Sequence, residues 1–124
     1  MSQPPINPLT LIRGQIYYVD WDDESSRGGR VIEKERPSLV IQNNMGNQFS
    51  PYTIVAAIHH DAGKKLPIHV RVPRGVGGLK RDSVVDCGLI YTIPTEALKR
   101  RLGYLTEAYM RQVDEALRVS LELQ

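Results

Sequence analysis

Residues 36–60, "RPSLVIQNNMGNQFSPYTIVAAIHH", decide how this chain folds. Two apolar runs, "SLVI" and "TIVAAI", have the content of buried β-strands, and each is fenced by polar groups. Arg36 opens the first run, the amides Gln42, Asn43 and Asn44 close it, and His59 and His60 end the second. Pro37 is tolerated in a sheet only at the first residue of a strand or on an edge. Between the runs, "NMGNQFSP" is rich in Asn, Gly, Ser and Pro and predicts a loop.

Working outward, "QIYYVDW" (15–21) has the aromatic and β-branched content of a strand. A polar, glycine-containing loop, "DDESSRGGRVIEKE" (22–35), separates it from the stretch above. "IHVRV" (68–72), "SVVDC" (83–87) and "LIYTI" (89–93) follow as further strands, with "RGVGGLKRD" (74–82) as a turn-rich connector. About six short strands with turn signals between them predict a small barrel or curled sheet. The period then changes. "PTEALKRRL" (94–102) predicts a short helix with Thr95 as N-cap, and "TEAYMRQVDEALRVSLEL" (106–123) a longer one capped by Thr106. Met110, Val113, Leu117 and Leu121, with Ala116 beside them, form one apolar stripe for core packing. The expectation is an α+β fold: a flexible, proline-rich lead-in (1–11) and a single domain (12–124) built as a small barrel with a packed C-terminal helix.

Composition narrows the classes. The chain has 124 residues, 41% hydrophobic and 24% charged, an ordinary globular balance for one core. No apolar run exceeds "IVAAI", far short of a membrane span, and "MSQPPINPLTLIRG" lacks the features of a secretory signal. A cytoplasmic protein without membrane contact is expected. The lone Cys87 excludes an intrachain disulfide and a thiol-rich zinc site, and its flanks predict a half-buried packing position. The net charge of +2 decides little, but residues 64–81 hold six Lys/Arg and no acid, the footprint of a polyanion site.

His59, His60 and His69 match no zinc spacing, so neither metal nor cofactor is expected. There is no Walker loop, "GVGG" reads as a flexible turn, and no serine sits in a nucleophile elbow. Arginine, histidine, amides and a basic stripe remain, the parts of a metal-free reaction on phosphate.

These residues carry a resemblance. "RGQIYYVDW", "ERPSLVIQNNMGNQFSPYTIVAAI", "KLPIHV", "RDSVV" and "VDEALRVSLEL" resemble, in order and over residues 12–123, the MazF/PemK family of toxin endoribonucleases. The resemblance implies an SH3-like barrel of the CcdB/MazF type with a C-terminal helix, working as a homodimer. It implies metal-independent, sequence-specific cleavage of single-stranded RNA. It also implies inhibition by a MazE-like antitoxin, with which the toxin binds DNA. Arg36 matches the family's catalytic arginine; an arginine offers two parallel donors to phosphate oxygens and stays charged. Relatives place Thr or Ser where this chain has His59. On a strand, His59 shares a face with Thr53, Val55 and Ala57, and His60 faces the other way.

An imidazole carries a proton either way near neutrality, so His59 is the candidate general base or acid; phosphate binding or strand capping is its other reading. None of Glu24, Glu33 and Glu35 is assigned a role, because the loop that holds them departs from the family's pattern. The expected RNA contacts are Arg30, Lys64, Lys65, Arg71, Lys80 and Arg81 on phosphates, and Tyr91 stacking a base or buried in the barrel. Gln42, Asn43, Asn44 and Asn47 read better as loop-forming than as base-reading. Gly88, Leu89 and Tyr91 replace the family's "EQ" and arginine, so the recognised motif is expected to differ. Two other classes share parts of this pattern: CcdB-like toxins that bind DNA gyrase without catalysis, and silent RNA-binding relatives.

Overall fold

The computed structural model describes residues 10–20 and 35–124. Strands β1 (Gln15–Asp20), β2 (Glu35–Val40) and β3 (Tyr52–His60) come first, with helix α1 (Asn44–Phe49) between β2 and β3. Strands β4 (His69–Val72), β5 (Ser83–Pro94) and β6 (Leu98–Tyr104) follow, and helix α2 (Glu107–Leu121) ends the chain. All pairings are antiparallel, in the order β4-β5-β3-β2-β1-β6.

Three secondary-structure expectations change. "NMGN" forms a helical turn instead of a loop, because the Asn43 side chain caps it, accepting the Gly46 N–H at 2.7 Å. "SVVDC" and "LIYTI" are one continuous strand, β5, which stays paired with β3 across a bulge at Ala56/Ala57. "PTEALKRRL" is helical only as a 3₁₀ turn at Thr95–Ala97; "LKRRLGY" is the edge strand β6. Its helix-forming residues are overruled by pairing with β1, which supplies hydrogen-bond partners that an isolated short helix lacks.

The core lies between the sheet and α2. Ile16, Leu39, Ala56, Ile58, Val70, Val72 and Val85 pack against Val113 and Ala116, with Met110 and Leu117 partly buried beside them. Leu121, the last residue of the stripe, is exposed. A second cluster, including Leu11, Tyr17, Val19, Val40 and Val55, covers part of the opposite face. Arg13 ties the helix to the strands: its guanidinium donates to Ile41 O at 2.8 Å and pairs with Asp114 at 2.7 Å. Cys87 is fully buried, more than expected, and burial pushes its thiol up to about 11, with the Asp86 charge adding to the effect. It packs and does not react.

The barrel is not closed by hydrogen bonds, since no ladder joins the edge strands β4 and β6 among the described residues. The "GVGG" turn packs against β6 instead. Gly77 and Gly78 take left-handed φ values of 63° and 78° and lie directly on the backbone of β6. A Cβ on Gly78 would stand 2.2 Å from Leu102 O, and one on Gly103 2.6 Å from the Gly77 backbone. This stretch is a fixed backbone-on-backbone seam, not a flexible turn. Gly78→Ala is expected to destabilise the protein by about 1–3 kcal/mol in urea unfolding. The loss should exceed that of Gly63→Ala, which shares the left-handed φ but whose Cβ meets nothing within 4 Å.

Candidate functional site

The pairing of β2 with β3 positions the first two candidates. Ser38 stands opposite Ala57, Leu39 opposite Ala56 and Val40 opposite Val55. Continued by two residues, that register sets Arg36 across from His59, and strand alternation puts both on one face. Pro37, the third residue of β2, is tolerated in this central strand because the ladder to β3 starts only at Ser38. A cleft of about 400 Å³ opens over these strand ends, lined by Arg36, His59, His60, Lys80 and Arg81, with Tyr18 at its wall.

The other sequence candidates lie elsewhere. Arg71 donates to Gly63 O at 2.8 Å and faces Asp61 at 3.4 Å, beside a separate depression. Lys64 and Lys65 are exposed on the β3–β4 connection, and Tyr91 is exposed on β5, none of them lining the cleft. Arg30, Glu24 and Glu33, and the side chain of Glu35, lie outside the described residues. The amides build the link between β2 and β3. Buried Asn47 accepts from Gln42 Nε2 at 3.0 Å and from the Thr53 hydroxyl at 2.7 Å, and donates to Gln42 O at 3.0 Å. Asn44 Oδ1 accepts the Arg13 N–H at 2.7 Å.

Two participants escaped the sequence reading. Asp86 of β5 stands between Ala57 of β3 and His69 of β4. Its Oδ2 lies 3.0 Å from His59 Nε2 and 3.3 Å from His69 Nε2, while Oδ1 accepts the Gly88 N–H at 2.9 Å. The signal was present: a lone carboxylate at position 86 interrupts the apolar run "SVVDCGLI". Burial alone would raise the Asp86 pKa, but the His59 hydrogen bond, the Gly88 N–H and the charges of the two imidazoles outweigh it. The carboxyl is held below its ordinary value.

His59, His69 and Asp86 bring three donor atoms within 4.8 Å of one another, a spacing a metal ion could bridge. Hydrogen bonding argues for a different use. His69 Nδ1 accepts the Leu66 N–H at 3.2 Å, so its proton sits on Nε2, directed at Asp86, and no lone pair is presented there. The trio is centred on the Asp86 carboxylate, which hydrogen-bonds His59 and stands 3.3 Å from His69 as an ion-pair partner. His59 Nδ1 faces the His60 carbonyl at 3.1 Å, and that bond lies toward solvent.

Comparison with known proteins gives consistent results. Residues 12–121 match the family model described as PemK-like, MazF-like toxin of type II toxin–antitoxin system. The chain is 43% identical over 118 residues to the endoribonuclease EndoA of Bacillus subtilis (strain 168), covering 93% of this chain and 97% of that one. Among solved structures it is similar to the Mycobacterium tuberculosis toxin MazF-mt6, with TM-score 0.73 and 27% identity over 89% of this chain and 98% of that one. An endoribonuclease in complex with its cognate antitoxin from Mycobacterial species shares the fold, with TM-score 0.76 and 23% identity over 93% and 98% of the two chains.

A depressed carboxyl stabilises the fold at every pH above its unfolded value, here the ordinary 3.8, and that contribution disappears as pH falls through the lower folded value. Wild type is therefore expected to exceed Asp86→Asn in unfolding free energy at pH 6. The gap should close in denaturant titrations carried stepwise below pH 4, the ordinary carboxylate range.

Proposed function

The chain belongs to the PemK-like, MazF-like toxins of type II toxin–antitoxin systems and is an endoribonuclease of that family, and from this premise we propose that Arg36 and His59 cleave single-stranded RNA in the cleft over the ends of β2 and β3. The observation that carries the proposal is the β2–β3 register, which sets a guanidinium across from an imidazole beside the cationic Lys80 and Arg81. In this reaction the ribose 2′-hydroxyl attacks the adjacent phosphorus and the 5′ oxygen departs. Negative charge grows on the non-bridging oxygens, and a proton must be moved. Arg36 supplies two parallel donors to those oxygens, and His59 moves the proton. The reaction needs no more than these groups provide, so cleavage proceeds without a metal and leaves a 2′,3′-cyclic phosphate.

Lys80 and Arg81 hold neighbouring phosphates. Lys64 and Lys65, exposed on the β3–β4 connection, extend the basic surface along the strand of RNA. Arg71, which is ion-paired with Asp61, contributes at longer range, and Tyr91 and Arg30 complete the contacts read from sequence. Partners are a second copy of the chain and an antitoxin whose acidic segment occupies the same surface as RNA, an interaction that weakens with salt. No helix among the described residues is long and apolar enough to cross a membrane, and the proposed site of action is cytoplasmic mRNA.

Purified protein incubated with a long single-stranded RNA and EDTA is expected to cut it at a short motif. Arg36→Ala should lower the cleavage rate by about 10²-fold or more, with Arg36→Lys restoring little because an ammonium lacks the bidentate fork. His59→Ala should lower it comparably, and undiminished cleavage by either alanine variant refutes the assignment. Replacing Lys80 and Arg81 together should reduce the magnitude of the log–log salt slope of RNA binding by about 1.4, near 0.7 for each phosphate that is no longer neutralised.

A further inference from the structure

Both ring nitrogens of His59 face oxygen acceptors. Nε2 lies 3.0 Å from Asp86 Oδ2 and Nδ1 lies 3.1 Å from the His60 carbonyl. A carbonyl and an ionised carboxylate only accept, so both bonds form together only when the ring carries two protons. Asp86 is suited to hold that state. It is 8% exposed, fixed on its other oxygen by the Gly88 N–H, and has His69 Nε2 3.3 Å from the same oxygen that His59 contacts.

Resting on the proposed cleavage by Arg36 and His59, we propose that Asp86 is a positioning residue that holds His59 as an imidazolium. This commits the ring to one half of the reaction, protonation of the departing 5′ oxygen. The two nitrogens then divide the work. The Nε2 proton stays on the ring, facing the buried carboxylate, and the Nδ1 proton, facing the solvent-side His60 carbonyl, is the one delivered. In the step itself the 2′ oxygen bonds to phosphorus and its proton passes to solvent water. The bond from phosphorus to the 5′ oxygen breaks, and that oxygen takes the Nδ1 proton with the released electron pair. The ring is left neutral with Nε2–H still facing Asp86, and solvent returns the second proton.

The surrounding charges explain why a carboxylate is needed. Arg36 of β2 stands across from His59, Lys80 and Arg81 share its cleft, and His60 follows it on β3. His69 of β4 lies edge-on with ring centroids 5.7 Å apart, and Arg71 of β4 is balanced by Asp61. Basic groups predominate around His59, and the contacting anion is Asp86.

The test compares two substrates in the same enzyme preparation: an RNA with a mapped cut site, and the same RNA with sulfur replacing the bridging 5′ oxygen at that site. A thiolate departs without a proton, so only the ordinary RNA needs the acid. Asp86→Asn is expected to slow ordinary cleavage at least about tenfold, to move the alkaline limb of its pH–rate profile to lower pH, and to cleave the sulfur substrate near the wild-type rate. The ratio of the two rates does not depend on how much of the variant is folded. Should Asp86→Asn not fold, His59→Ala carries the same comparison and is expected to be rescued by sulfur. Equal losses on both substrates, or no loss on either, overturn the proposal. Equal losses with His59→Ala still inactive on ordinary RNA would leave the cleavage site standing and place the ring on the 2′-hydroxyl side. Full activity of His59→Ala on ordinary RNA would instead remove the reading on which the proposal rests.

Discussion

The register between β2 and β3 is the constraint on which the rest of this molecule depends. With Leu39 opposite Ala56, both point into the core beneath α2, and the residues on either side of them point to the other face. A slip of one residue would invert every side chain on a strand, burying Arg36 and exposing Leu39. The register is therefore held hard, by the apolar face and by the link between the strands. That link is short, helical and knotted together by amides: Asn43 caps α1, and buried Asn47 bonds to both Gln42 and Thr53. A buried amide left without partners costs more than its bonds are worth when made, so this turn admits few alternatives. The proposed catalytic pair, Arg36 and His59, is placed by hydrogen bonds at the opposite end of the hairpin.

The remaining architecture keeps that hairpin curled. Among the described residues no ladder joins the edge strands β6 and β4, and the glycine turn after β4 lies on Leu102 and Gly103. An approach so close excludes any side chain, and the tightness substitutes for hydrogen bonding. On the other side, Arg13 reaches both Ile41 O and Asp114, joining the start of β1, the end of β2 and the middle of α2 through one guanidinium. Curvature matters to the site because the cleft draws on β1, β2, β3, β6 and the connector carrying Lys80 and Arg81. A flat sheet would spread these residues apart.

Asp86 shows how a core strand accommodates a charge. It sits in β5 beside fully buried Val85 and Cys87, where an unpartnered carboxylate would be costly. Two imidazoles and a backbone N–H supply the partners, and the balance leaves the carboxyl below its ordinary value although burial acts the other way. Burial, with the same charge adding to it, pushes the neighbouring Cys87 thiol up to about 11. Gly88 belongs to this arrangement too, since a Cβ there would stand 2.7 Å from Ile68 and 3.2 Å from the Asp86 carboxylate.

Much was legible from residue order alone. Alternating and continuous apolar runs announced the strands, the helical stripe announced α2, and the ordered resemblance from residue 12 onward pointed to Arg36 and His59. These are local or one-dimensional signals, and they survive without knowledge of neighbours. Propensity misread "PTEALKRRL", because the decision between helix and strand there belongs to β1, about eighty residues earlier in the chain. It misread "GVGG" as loose, because the close approach that demands glycine comes from β6. His59, Asp86 and His69 lie on three different strands, and no spacing in the chain relates them. Only the antiparallel order β3-β5-β4 makes them neighbours, and only their hydrogen bonds, set by that geometry, decide which ring nitrogen holds which proton.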